Sequence, residues 1–262
     1  MSWISRLFRR GSATTADMTS DTPFPVAWQR VLVECVPIYH RLPPQQRPAL
    51  HDLTQRFIAT KEFWGSKDLP VTEEMKVIVA AQACVLILNL PRLGLYPQTR
   101  EVILYPKDFG EVLTAIGADG RSYEIDMTRI GEAVRRGPVL LAWESVQQEA
   151  IDPSDGYNVV FHEFAHALDF LDGEANGAPP LETKADYAEW SRVFSAAHQE
   201  LKSAAARGRR TLLDPYGAKS PAEFFAVATE HFFEQGYRLK RNHPALYAQL
   251  RKFYQQDPAN WG

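Results

Sequence analysis

GYNVVFHEFAHALDFLDG, residues 156–173, is an apolar run with a polar trio set inside it. His162, Glu163 and His166 form an H-E-x-x-H pattern. On a helix, residues four apart lie on one face, so the two imidazoles aim at one point while Glu163 reaches its rim. Zinc chemistry calls for this arrangement: two neutral nitrogen ligands, and beside them a carboxylate that takes a proton from water. Val159, Val160, Phe161, Phe164, Ala165, Ala167, Leu168 and Leu171 surround the trio and predict a buried helix. Pro153, Ser154 and Asp155 read as its start and Gly173 as its stop. Two histidines, Glu163 and Asp169 in such a helix would be costly to bury without partners, and a metal removes that cost.

The rest of the composition is that of a soluble globular chain. Its 262 residues are 45% hydrophobic and 23% charged, which fits one large domain or two small ones. A net charge of −3 gives no support to bulk nucleic-acid binding. Two cysteines, Cys35 and Cys84, sit in apolar helical patterns and read as buried free thiols, which points to a reducing cytoplasmic setting. No run approaches a membrane span. The first residues, MSWISRLFRR, lack the apolar core of a secretion signal. Residues 1–23 therefore read as a disordered basic tail ahead of a domain over 24–262.

Downstream of the tail, helical patterns cover 26–39 and 48–61, followed by a loop at Phe63, Trp64 and Gly65. Thr72 reads as the cap of a nearly all-apolar helix that runs to Leu88 and belongs in the core. EVILY (101–105) and VLLAW (139–143) read as strands, and Asp119-Gly120 as a hairpin turn. The VLLAW strand, just upstream of the H-E-x-x-H helix, suits either a sheet edge that binds extended peptide or an ordinary core strand. Residues 172–180 read as a loop and 185–206 as a long helix closed by Arg207-Gly208-Arg209-Arg210. That basic cluster reads as a solvated helix end, with a phosphate or acidic-partner site as the lesser reading.

A catalytic zinc site needs a third protein ligand. Asp169 and Asp172 stand where one known extension of the motif would place glycine and histidine. Glu182, Asp186 and Glu189 fall in a helix start where acids are favoured anyway. SPAEFFAVATE, residues 220–230, offers a better candidate in Glu223. Ser220 caps this helix and Pro221 takes its first position, so Glu223 also fits a capping box. Glu230 lies two turns on along the same face. One acid ligating and the other holding a ligand histidine would explain why both are buried.

HEFAHALDFLDGEANGAP and SPAEFFAVATEHFFE closely resemble the Mlc titration factor A family of zinc-dependent peptidases. EEMKVIVAAQACVLILNL, EVILYP, RRGPVLLAW and FYQQDP are similar to it too, so the resemblance spans residues 28–258. The family is similar in its metal core to the catalytic domain of anthrax lethal factor. The resemblance implies one mostly helical α+β domain of the zincin, gluzincin-like type, with a small mixed sheet beside the active-site helix. It implies one Zn2+ per chain held by His162, His166 and Glu223, with Glu163 as general base. Tyr216, in DPYGAKSPAE, is similar in position to a tyrosine that faces the metal and would donate to an oxyanion. The implied activity is aminopeptidase-like cleavage of small peptides. The implied alternative is sequestration of a transcription repressor, Mlc in some relatives, with little peptidase activity. Ala167 departs from relatives that carry lysine there.

Overall fold

The computed structural model describes residues 23–107, 113–116, 122–125, 137–149 and 154–261. The expected basic tail lies outside these residues save for Pro23, and so does the Asp119-Gly120 turn. Helix α1 (Val26–Cys35) is followed by a short α2 (Ile38–Arg41), then α3 (Arg47–Thr60), strand β1 (Glu62–Gly65) and α4 (Glu73–Ile87). Strands β2 (Glu101–Tyr105), β3 (Leu113–Ile116), β4 (Ser122–Ile125) and β5 (Val139–Ala142) come next. The rest is helical: α5 (Trp143–Glu149), α6 (Val159–Asp169), α7 (Lys184–Ala206), α8 (Pro221–Glu234), α9 (Gly236–Asn242) and α10 (Pro244–Tyr254).

The first expected helix divides at Pro37, which has no N–H to continue the ladder. Phe63, Trp64 and Gly65, expected as loop, form most of β1. That strand carries too few residues to show a period in sequence, and its pairing with β2 makes it a strand. β1, β2 and β5 form one sheet in that spatial order, all parallel, while β3 and β4 pair antiparallel in a second small sheet. Trp143, expected as the last residue of its strand, begins α5.

α4 is the centre of the core. Thr72 accepts from the Met75 amide, and Glu73 and Glu74 complement the dipole of the first turn. From Val77 to Ile87 every side chain is buried, and Gln82 is the one polar group among them. Buried residues of every helix and of strands β2 and β5 join one continuous apolar cluster with α4. Cys84 lies inside it and Cys35 at its edge, both as free thiols. α6 is sandwiched between α4 and α8 and flanked by β5. Among the described residues, no helix is long and apolar enough to cross a membrane.

Candidate metal centre

α6 starts at Val159, later than its upstream signals suggest, because Asn158 is its cap: the side chain accepts from the Phe161 amide at 2.9 Å. Two carboxylates from elsewhere satisfy neighbouring amides. Glu230 accepts from the Asn158 amide at 2.8 Å, and Glu149 accepts from that of Val159. The Asn158 side-chain amide donates to Gln82 at 2.7 Å and to Glu234 at 3.1 Å. Glu234 also accepts from the Gly156 amide at 3.1 Å. Gly156 holds a φ of +90°, and a Cβ there would lie 2.8 Å from the His231 ring, so glycine is required on both counts.

α8 supplies the opposing face. Ser220 accepts from the Glu223 amide at 3.2 Å, but the Glu223 carboxylate does not turn back to complete a capping box. It points at the histidines, with Oε2 3.0 Å from His162 Nε2 and 3.4 Å from His166 Nε2. The two Nε2 atoms are 3.2 Å apart. His162, His166 and Glu223 thus form a group able to hold a metal ion among the described residues. The fit is quantitative. Tetrahedral zinc with bonds near 2.0–2.1 Å separates neighbouring ligand atoms by ~3.3 Å. The three observed separations scatter about that edge length.

His162 Nδ1 lies 2.7 Å from Glu230 Oε1 and donates to it, so a metal at the common point would take the place of the proton on Nε2 and meet that lone pair. Burial disfavours charge on His162, yet Glu230 and Glu223 outweigh it and raise its proton affinity well above the histidine range. Burial likewise works against the charged form of Glu223, but the two imidazoles hold its carboxyl far below the usual range. Burial pushes the Glu163 carboxyl up, with the imidazoles partly opposing. The Tyr216 ring stands 5.9 Å from that of His162 with Lys219 Nζ 3.8 Å above it. Burial, then the charges of Glu223, Glu163, Asp214 and Glu230, push its phenol up to about 12, so the hydroxyl keeps its proton at neutral pH.

The other acids weighed from the sequence lie elsewhere. Asp169 turns away from the centre and accepts from the amides of Gly177 and Ala178 at 2.8 and 2.9 Å. Burial pushes it up to about 6. Gly177 has a φ of +75°, and a Cβ there would sit 2.3 Å from the Pro221 carbonyl oxygen. Asp169 therefore fastens the loop after α6 to the head of α8, which sets Glu223 opposite the rings. Asp172 accepts from the Glu174 amide, Glu182 faces Arg92, Asp186 caps α7, and Glu189 pairs with Arg192. His231, also on α8, bonds the Val227 and Leu212 carbonyls and is structural. The Gln82–Asn158–Glu234 cluster escaped the sequence reading. Its one available signal was a lone glutamine in an otherwise apolar run.

The chain is similar to other proteins over most of their length. The protein slr2042 of Synechocystis sp. is 42% identical over 238 residues, 90% of this chain and 86% of its own. Mlc titration factor A of Edwardsiella ictaluri is 32% identical over 228 residues, covering 85% of each chain. Its namesake in Pectobacterium atrosepticum is 30% identical over 236 residues, 88% of this chain and 86% of its own. The profile of the glucose-regulated metallo-peptidase M90 family matches residues 9–255. With a metal-capable centre on α6 and α8 and a family match over nearly its whole length, the chain belongs to the glucose-regulated metallo-peptidase M90 family.

Proposed function

We propose that this metallopeptidase is a zinc-dependent aminopeptidase of the cytoplasm, acting on small peptides, with His162, His166 and Glu223 as ligands of one Zn2+ per chain. The observation that carries the reading is the 3.0–3.4 Å triangle of Nε2, Nε2 and Oε2 atoms, with a further carboxylate, Glu163, on the same helix. Bound zinc would supply Lewis acidity, activating a water and polarising the scissile carbonyl. Glu163 takes the proton of that water and delivers it to the leaving amine. The Tyr216 hydroxyl, protonated at neutral pH, donates to the developing oxyanion. Glu230 holds the His162 ring through Nδ1 so that Nε2 faces the ion.

The preference for a free amine rests on the sequence resemblance to the Mlc titration factor A family. The test pairs Glu163→Gln with a peptide panel. The variant should retain stoichiometric zinc and lose ~10²–10⁴-fold in turnover. Wild-type protein should cleave free-amine peptides and spare the same peptides N-acetylated. Undiminished turnover by Glu163→Gln would sink the mechanism, and cleavage of blocked peptides alone would sink the aminopeptidase assignment.

A second reading has its own support in the name Mlc titration factor A carried by relatives at 30–32% identity. In it the chain binds and sequesters a transcription repressor of the Mlc kind, and peptidase activity is secondary. Micromolar or tighter binding of purified repressor by the Glu163→Gln protein would support this task. Absence of binding by wild type and variant alike would remove it.

A further inference from the structure

A groove of about 390 Å³ runs between the end of α7 and the start of α10. Arg207, Arg209 and Arg210 line one side, Asn242 and His243 the other, and Leu201 and Leu213 lie at its apolar floor. We propose that this groove is a binding site for a phosphate ester, independent of the metal centre and of the peptidase reading.

The arginines are the first argument. In a chain with an excess of acid, several surface arginines find carboxylates, among them Arg56 with Asp52, Arg92 with Glu182, Arg192 with Glu189 and Arg251 with Asp257, while, among the described residues, Arg100, Arg238 and Arg241 stand unpaired but apart from this groove. Among the described residues, the guanidiniums of Arg207, Arg209 and Arg210 have no ion pair and no hydrogen bond, although Glu200 lines the same groove. Three like charges gathered in one concavity repel one another and are stabilised by an anion shared between them.

The end of α7 does not account for them. Its last carbonyls are already closed by backbone: the Arg207 and Arg209 amides donate to Ala204, and the Gly208 amide donates to Ala205. Gly208, at a φ of +61°, turns the chain back so that Arg209 and Arg210 follow the groove. On the facing side, α10 begins without a side-chain cap, so its positive end adds to the same field.

The chemistry of the lining selects the ligand. Planar guanidinium forks pair with carboxylate and phosphoryl oxygens alike, but a phosphate monoester offers three terminal oxygens to share among three arginines where a single carboxylate offers two. The volume exceeds what inorganic phosphate fills and is of the size that holds a small organic molecule. The leucine floor suits the apolar part of an ester. Leu213 leads directly into Asp214, whose carboxylate accepts from the Tyr216 amide at 2.7 Å, so the ligand would rest against the tether of Tyr216.

The test is calorimetric titration of the full chain with adenosine monophosphate, adenosine and inorganic phosphate. One saturable site per chain is expected, with the monophosphate at least tenfold tighter than either of the others. Arg209→Gln/Arg210→Gln, at exposed positions, should keep the wild-type melting midpoint and weaken that binding at least tenfold. Glu223→Ala should leave it unchanged, which separates this site from phosphate capture at a metal. No saturable binding, equal affinity in the double arginine variant, or loss in Glu223→Ala would overturn the proposal. Arginine-dependent binding of poly-glutamate without binding of the monophosphate would also overturn it, in favour of an acidic protein partner.

Discussion

α4 and α8 are both buried along almost their whole length, yet they are held by opposite means. α4 is stabilised by dispersion and apolar transfer, with one polar side chain, Gln82, inside it. α8 buries Thr229, Glu230, His231 and Glu234 and presents Glu223 to the histidines. Each of these has a named partner. Thr229 bonds Tyr254, Glu230 bonds His162 and the Asn158 amide, His231 bonds two carbonyls, and Glu234 accepts from Gly156 and Asn158. Buried polar groups are tolerated only when satisfied. The lesson is a division of labour: one helix supplies stability, and the other spends it on placing charge beside α6.

That contrast can be broken by substitution. The largest effect is expected for Glu223→Ala, which removes one proposed ligand. Metal should be lost on dialysis and turnover should fall by ~10³-fold or more, since several kcal/mol of transition-state stabilisation depend on the ion. Melting of the metal-free protein should change little. Leu86→Ala, in α4, should do the reverse. Leu86 is fully buried, so unfolding free energy should drop by ~2–5 kcal/mol in urea titrations while metal content per folded chain is kept. If Leu86→Ala loses metal before it loses stability, the division fails.

Glu230→Gln sharpens the comparison. It keeps the shape of the carboxylate that holds His162 and removes its charge. A chelator-competition assay should show metal affinity reduced ~10–100-fold, with the fold retained. The smallest effect concerns Glu234. Burial, against the donors Asn158 and Gly156, pushes its carboxyl up to about 9. The folded chain then holds a proton that the unfolded chain has released between about pH 4.5 and 9, so stability falls as pH rises through that window. Glu234→Gln removes this dependence. Relative to wild type it should gain at least ~1 kcal/mol in urea stability between pH 5 and pH 8. Parallel pH profiles for the two proteins would show that Glu234 stays ionised.

Local sequence carried much of this. α6 and α4 are legible because their information is short-range: imidazoles four residues apart, a cap residue, an unbroken apolar run. The acid-rich start of α8 was legible for the same reason, through Ser220 and Pro221. β1 was not, because four residues become a strand only by pairing with β2. The part played by Asp169 was not legible either, because its two oxygens hold Gly177 and Ala178 across a loop.

The spacing of His162, Glu163 and His166 by itself determined the chemistry to be sought, since helix geometry sets which side chains share a face. Only the tertiary structure decided how closely the distant acid, Glu223, approaches them. Sixty-one residues separate His162 from Glu223, and nothing in the sequence between them encodes a 3.0 Å approach. The packing of α6 against α8, with Gly177 fastened under the Pro221 carbonyl, produces it. A ligand set that spans two elements is a property of how those elements pack, and packing is resolved by the whole core.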